Sequence, residues 1–143
     1  MTDIVINTLG GSTQSYSANE LQQSTGCRII TPEADDYDAR RAIWNGMIDK
    51  RPAAVLVTRD EAGIAAAVSF ASTNGLLMSL RSGGHNIAGM ALCDDGLVLD
   101  MQDMKSVTVD REARTARVQP GASLGDVDRA TQEFGLVVPT GIN

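Results

Sequence analysis

The sequence is short of several features, and each shortage excludes a class of protein. It has two cysteines, Cys27 and Cys93, which are too few and too far apart for a zinc site or a disulfide framework. We expect both to be plain thiols, buried or partly exposed. No apolar run approaches the ~18 residues that a membrane-spanning helix needs. A membrane protein is therefore not expected.

Positive charge is also scarce. The 143 residues contain 12 Lys and Arg against 18 Asp and Glu, which gives a formal net charge of -6. This is the wrong sign for a protein that neutralises a nucleic-acid backbone, so nucleic acid is not expected as a partner. If the ligand is a phosphate, backbone N–H groups and helix amino ends must hold it more than a lysine cluster does.

The first thirty residues lack a sustained hydrophobic period. They are rich in Ser, Thr, Gln, Asn and Gly, and we predict a mobile leader over residues 1–30 with one helical turn near Leu21. The positive patch and apolar stretch of a secretory signal are missing, which favours a cytoplasmic protein. Residues 31–143 are enough for one domain with its own core.

A short amphipathic helix is predicted before the main apolar pattern. Asp35 or Asp36 is a suitable N-cap, and the helix carries Ile43 and Trp44. The pair Asn45-Gly46 ends it.

A strand, a helix and a second strand are predicted next. The run AAVLVT, residues 53–58, suits a buried strand, and Thr58 and Glu61 have capping-box spacing for the following helix. The run LLMSLR, residues 76–81, is the second strand. Such a βαβ unit joins two parallel strands through a right-handed crossover. The apolar stripe of its helix consists of Ile64, Ala67, Val68 and Ala71.

Further strands and a helix are predicted after this unit. GLVLDM, residues 96–101, reads as a strand, and SVTVDREARTARVQ, residues 106–119, as a hairpin. SLGDVDRATQEFG, residues 123–135, opens with Ser123 and Asp126 at capping spacing and closes at a glycine, which indicates a helix.

The chain's one histidine lies in RSGGHN, residues 81–86, directly after the second strand of the βαβ unit. The two glycines permit positive φ and a close ligand, and a row of N–H groups in such a turn attracts a pyrophosphate. Ser82 and Asn86 add donors, and Arg81 adds a charge. The alternative is an ordinary tight loop with Arg81 as a solvated surface residue.

This loop does not match the common nucleotide-binding patterns. Gly84 and Gly89 have the spacing of a P-loop, but Met90 and Ala91 replace the required Lys and Ser/Thr. The sequence also has no GxGxxG, so a Rossmann dinucleotide site is not supported.

His85 could be a general base, a metal ligand or a nucleophile. One histidine without neighbouring ligands does not indicate a metal site, and nothing in the sequence brings Cys93 to it for a Cys-His hydrolase. A loop position between Gly84 and Asn86 is a poor place for a core residue. We therefore expect His85 to face a ligand.

Three blocks of the sequence resemble a known family. They are YDARRAIWNGMIDKRPAAVLV (37–57), RSGGHNIAG (81–89) and the block from CDDGLVLDM to PTGIN (93–143). Together they closely resemble the amino-terminal half of the berberine-bridge-enzyme-like FAD-linked oxidases. These enzymes have an FAD-binding domain of the p-cresol methylhydroxylase or vanillyl-alcohol oxidase type. The resemblance implies an α+β fold, here as an incomplete domain over residues 31–143.

The resemblance also implies a cofactor and its attachment. In this family the matching histidine is bonded to the 8α carbon of FAD, which assigns covalent attachment to His85. A neutral imidazole nitrogen is a competent nucleophile toward an electron-poor flavin, and the substituent raises the oxidising power of the cofactor. The predicted FAD-binding residues are Arg81, Ser82, Gly83, Gly84, His85, Asn86, Gly89, Pro139, Gly141 and Asn143.

The remaining expectations follow from where the sequence departs from the family. Asn143 stands where doubly attached relatives carry a cysteine, so we expect attachment through His85 alone. The substrate domain and catalytic base of the family have no counterpart in these residues. We expect the parent protein to oxidise a small-molecule substrate, a sugar, alcohol or amine-like compound, and to pass electrons to O2. The alternative is a non-catalytic fragment or a nucleotide-binding module without redox activity.

Overall fold

The structure is a computed structural model and describes residues 3–140. This part of the chain has no helix of the length and apolar character needed to cross a membrane. The elements in chain order are β1 (Ile4–Asn7), β2 (Thr13–Tyr16), α1 (Ala18–Thr25), β3 (Arg28–Ile30), α2 (Tyr37–Arg41), β4 (Ala54–Val57), α3 (Glu61–Thr73), β5 (Met78–Arg81), β6 (Leu97–Asp100), β7 (Val107–Asp110), β8 (Thr115–Val118) and α4 (Leu124–Gln132).

A four-stranded sheet with the strand order β3-β4-β6-β5 forms the centre of the molecule. Strands β4 and β5 both pair with β6 in parallel, and β3 pairs with β4 in antiparallel fashion. The predicted βαβ unit is therefore confirmed, and its two strands are parallel. They are not neighbours, because β6 lies between them.

The central strands are buried on both faces, as expected for parallel strands covered by other elements. Successive residues point to opposite faces, so the two strands supply two separate clusters. On one face α1, α3 and the β1–β2 hairpin cover the sheet, and the cluster includes Ala54, Leu56, Leu97 and Leu99. On the other face the buried residues include Val55, Val57, Val98, Tyr37 and Leu92.

The prediction of a mobile leader is wrong for the described part of residues 1–30. This segment forms β1, β2, α1 and β3, and it places Ile4, Ile6 and Leu21 in the core. The polar composition of the whole segment concealed short apolar runs such as IVIN in β1. A local signal was nevertheless present, because Ser17 and Glu20 form a capping box at the start of α1.

The first predicted helix is shorter than expected. Helix α2 ends at Arg41, and Ala42 is already extended with φ -64° and ψ 129°. Ile43 and Trp44 therefore lie outside the helix. Asp36 occupies the N-cap position but makes no capping hydrogen bond, because its carboxylate accepts from Arg28 instead.

Helix α3 begins differently from the prediction. Its N-cap is Asp60, whose Oδ1 accepts a hydrogen bond from the Gly63 N–H at 2.8 Å, and Thr58 is not the cap. The buried face also shifts. Ala67 and Ala71 are buried as predicted, whereas Val68 is exposed.

The last predicted elements are confirmed. In the β7–β8 hairpin Val107 pairs with Val118, and Val109 pairs with Ala116, so these four residues share a face. Helix α4 starts with the expected capping box of Ser123 and Asp126. The apolar run at residues 136–139 forms neither a helix nor a strand.

Candidate functional site

The candidate site is the loop that follows β5, residues 82–89, which we call the glycine loop. Strands β4, β5 and β6 run in parallel, so their carboxyl ends meet at one edge of the sheet. Crevices at this edge are the usual ligand sites of open α/β sheets. The fold thus places the predicted residues where a ligand is expected.

The glycine loop offers a row of free backbone donors. Among the described residues, the N–H groups from Ser82 to Asn86 donate to no protein acceptor. Gly84 and Gly89 have φ of +72° and +71°, a conformation that side chains with a Cβ rarely adopt. Such a turn directs successive N–H groups toward one region and suits an anion.

The segment after α2 holds the glycine loop in place. The Trp44 N–H donates to the Gly84 carbonyl at 3.2 Å, and the Asn45 amide donates to the Ile87 carbonyl at 2.9 Å. Lys50 Nζ lies 3.1 Å from the Gly89 carbonyl. These bonds fix the loop from one side and leave the donors from Ser82 to Asn86 unused.

His85 is exposed, and its ring makes no hydrogen bond to any residue that the structure describes. The imidazole folds back over Gly83, where an added Cβ would lie only 2.9 Å from His85 Cδ2. On its other side is the Trp44 indole, with a centroid separation of 6.3 Å and an interplanar angle of 25°. The ring is therefore accessible to solvent and packs beside Gly83 and Trp44.

Arg81 is buried beneath the loop and is not the solvated surface residue of the alternative prediction. Its guanidinium is buried and donates to the carbonyls of Arg40 and Ala42, the latter at 2.6 Å. Asp100, fully buried, lies 3.6 Å away. Burial lowers the pKa of Arg81, and the Asp100 carboxylate opposes this shift. These contacts give Arg81 a structural role beneath the loop, while its Nε has no hydrogen-bond partner among the described residues. Its predicted contact with the cofactor stays a prediction.

A second arginine extends this charged cluster to the surface. Arg40 Nη1 lies 3.2 Å from Asp100 and 3.1 Å from Asp103. The hydrogen bond from Arg40 holds the pKa of the Asp103 carboxyl below its ordinary value. The carboxyl ends of β5 and β6 are thus tied to the end of α2 by ion pairs.

Two grooves flank the glycine loop, and Ser82 borders both. The first, of ≈ 220 Å³, lies on the His85 side, and the second, of ≈ 320 Å³, lies on the Gly83 side. The first is lined by Leu80, Ser82, Gly84, His85, Asn86, Met90 and Ala91. The second is lined by Arg40, Ser82, Gly83, Gln102, Asp103, Lys105 and Gly121.

The second groove contains residues outside the predicted FAD-binding set. Lys105 supplies a cation there, and Gly121 packs so closely that an added Cβ would lie 2.4 Å from the Gln102 carbonyl oxygen. The Pro-Gly pair before the N-cap of α4 was an available turn signal for this position. The segment after β6 therefore borders the glycine loop on the Gly83 side.

Other parts of the molecule fit the predicted site less well. Pro139 is exposed and lines neither groove, and Gly141 and Asn143 lie outside the described residues. A larger cavity of ≈ 590 Å³ is at the opposite, amino edge of the strands, far from the glycine loop. Within residues 3–140 no cluster of His, Cys, Asp and Glu could hold a metal ion.

These features fit an elongated, anionic cofactor with a reactive ring. The free N–H row suits a pyrophosphate, and the glycines allow close approach of the backbone. The exposed imidazole at the edge of one groove leaves room for a covalent or stacking partner.

Comparison with known proteins identifies the cofactor as FAD. Residues 52–142 match the family described as "FAD binding domain". (R)-6-hydroxynicotine oxidase from Paenarthrobacter nicotinovorans is 36% identical over 115 residues, which are 80% of this chain and 25% of that protein. Berberine bridge enzyme-like 9 from Arabidopsis thaliana is 38% identical over 95 residues, or 65% of this chain and 18% of that protein.

A solved structure agrees in fold. The crystal structure of 6-hydroxy-D-nicotine oxidase from Arthrobacter nicotinovorans superimposes with a TM-score of 0.75 at 35% identity, covering 84% of this chain and 26% of that one. This chain spans about a quarter of the length of such relatives. It belongs to the FAD-binding domain family of the berberine-bridge-enzyme-like, FAD-linked oxidases, and the predicted fold is confirmed.

Proposed function

We propose that this chain is the FAD-holding portion of an oxidoreductase that oxidises a small organic substrate and passes electrons to O2. The substrate class is a sugar, an alcohol or an amine. When bound, FAD supplies the two-electron chemistry by accepting hydride from a C–H bond of the substrate. The residues described here hold and orient the cofactor, and none of them is assigned as the catalytic acid or base.

One observation carries the proposal. The chain's single histidine is exposed in a loop whose N–H groups donate to no acceptor within residues 3–140, at the edge of a groove and at the carboxyl end of parallel strands. A core histidine would be buried and hydrogen-bonded. This placement supports a role for His85 in contact with the cofactor.

We further propose that His85 attaches the cofactor covalently. His85 would hold the cofactor through a bond from an imidazole nitrogen to the 8α carbon of the flavin, with one hydrogen lost from each of these two atoms. The two protons and two electrons released would pass to O2, which would give hydrogen peroxide and leave the linked flavin oxidised.

The experiment compares the chain with its His85→Ala variant after incubation with FAD in air. We expect flavin absorbance to remain with the unaltered protein after acid precipitation and to be lost from the variant. The circular dichroism spectra should agree, because His85 is exposed and removing it leaves no cavity. Flavin retained by precipitated His85→Ala would contradict the attachment.

The same experiment addresses a second candidate function. The free N–H row would also accept the pyrophosphate of a nucleotide without any redox reaction. In that case flavin or ADP binds the native chain but appears entirely in the supernatant after precipitation. That result would favour a nucleotide-binding module over the proposed oxidoreductase part.

A further inference from the structure

We propose that Trp44 is a positioning residue that holds the His85 imidazole in the orientation needed for attachment. This inference rests on the proposed function. Trp44 is the chain's only tryptophan, and 65% of it is exposed. Large aromatic side chains are usually well buried, so core packing does not account for its position.

The contact between the two rings is specific. The indole and imidazole centroids are 6.3 Å apart with an interplanar angle of 25°, within the range of offset aromatic pairs. The Trp44 backbone N–H donates to the Gly84 carbonyl at 3.2 Å, which ties the tryptophan to the residue before His85. A single segment thereby fixes both the loop backbone and the ring beside it.

The imidazole depends on packing against its neighbours for its orientation. The ring makes no hydrogen bond within the described residues, so packing beside Gly83 and Trp44 limits rotation about its side-chain bonds. Stacking on the indole engages a face of the imidazole and not the edge that carries its nitrogens. Bond formation requires that edge to face the flavin carbon, and a misplacement of about 1 Å costs on the order of 100-fold in rate.

The first measurement tests the contact without any cofactor. Because His85 is the only histidine, its two ring C–H signals are unambiguous in an NMR spectrum. We expect the Trp44 ring current to shift them, and Trp44→Ala to move them to the positions of a solvated histidine. Trp44→Phe should retain part of the shift. Identical signals in the unaltered chain and Trp44→Ala would overturn the proposal.

The second measurement is the rate of covalent attachment on addition of FAD. We expect Trp44→Ala to attach flavin about 10- to 100-fold more slowly, while noncovalent FAD binding, measured by ultrafiltration, stays similar. Trp44→Phe should recover much of the rate. Leu9→Ala is the matched control, because Leu9 is a 74% exposed apolar residue at the opposite edge of the sheet and should attach at the unaltered rate.

The outcomes separate this role from the proposed function. Equal attachment rates in Trp44→Ala and the unaltered chain would overturn the role of Trp44 alone. Loss of noncovalent FAD binding in Trp44→Ala would also overturn it, since Trp44 would then be a cofactor contact. Absence of covalent flavin in the unaltered chain would overturn the proposed attachment and, with it, this positioning role.

Discussion

The loop around His85 contains glycines that are required for two different reasons. Gly84 and Gly89 are required by their positive φ, and a Cβ at Gly89 would also lie 2.7 Å from Ile48. Gly83 does not have a positive φ, but the His85 ring occupies the space that a Cβ at this position would need. The first two shape the backbone, and the third leaves space for the imidazole.

This difference predicts the effect of Gly83→Ala. The added methyl group collides with the flexible His85 side chain and not with backbone, so the imidazole must move while the fold stays intact. We expect the free energy of unfolding to change by less than about 0.5 kcal/mol. The His85 ring signals in NMR should shift, and covalent flavin should fall sharply.

Gly46→Ala is the control for this change. A Cβ at Gly46 meets nothing within 4 Å, although Gly46 lies in the segment that supports the loop. It should leave the His85 signals and the flavin content unchanged. Unchanged His85 signals in Gly83→Ala would show that the imidazole does not lie over Gly83.

Arg81 marks the limit of what the sequence predicts at this scale. The sequence locates the loop and the exposed histidine, because a strand end, two glycines and a polar neighbour are local signals. The inward turn of Arg81 depends on the carbonyls of Arg40 and Ala42, 41 and 39 residues earlier, and on Asp100 in another strand. No local pattern contains these partners.

At the scale of elements, the start of α3 gives a direct prediction. Asp60 accepts a hydrogen bond from the Gly63 N–H, which has no acceptor inside the helix because it lies in the first turn. Asp60→Ala should lower the free energy of unfolding by about 1 kcal/mol, and Asp60→Asn by much less. Urea denaturation followed by circular dichroism measures both.

Glu61→Gln is the matched control for that helix end. Glu61 bonds Arg117 at 2.7 Å, but both side chains are largely exposed, and such pairs contribute little. A larger loss of stability from Glu61→Gln than from Asp60→Ala would contradict the assignment of Asp60 as the cap.

Elements were predictable where a local apolar run or cap was considered, and not within residues 1–30, where overall composition hid the apolar strand β1. Strands β4, β5 and β6 and helix α4 carry clear apolar runs or caps, and each was found. Strand β2, TQSY, has almost no apolar residue, and it forms because it pairs with β1. The position of β6 between β4 and β5 was not predictable, because a right-handed crossover fixes direction and not adjacency.

At the scale of the whole molecule, the amino-terminal segment is part of the core. We predict that a chain starting at residue 31 loses cooperative unfolding. It lacks Ile4, Ile6 and Leu21, each worth about 1.5–3 kcal/mol when buried, against a typical total stability of about 5–15 kcal/mol. Thermal denaturation followed by circular dichroism tests this.

A chain that starts at residue 3, the first described residue, serves as the comparison, since it keeps Ile4, Ile6 and Leu21. It should unfold cooperatively. A sharp, reversible transition in the chain that starts at residue 31 would restore the interpretation of this segment as a leader.

The order of strands has a consequence for synthesis on the ribosome. Strands β4 and β5 emerge before β6, yet their final positions are about 9.5 Å apart, two strand spacings, with an empty place between them. The nascent sheet stays open until Leu97–Asp100 has left the exit tunnel. Only then can β6 pair with both neighbours and place Asp100 beside Arg40 and Arg81.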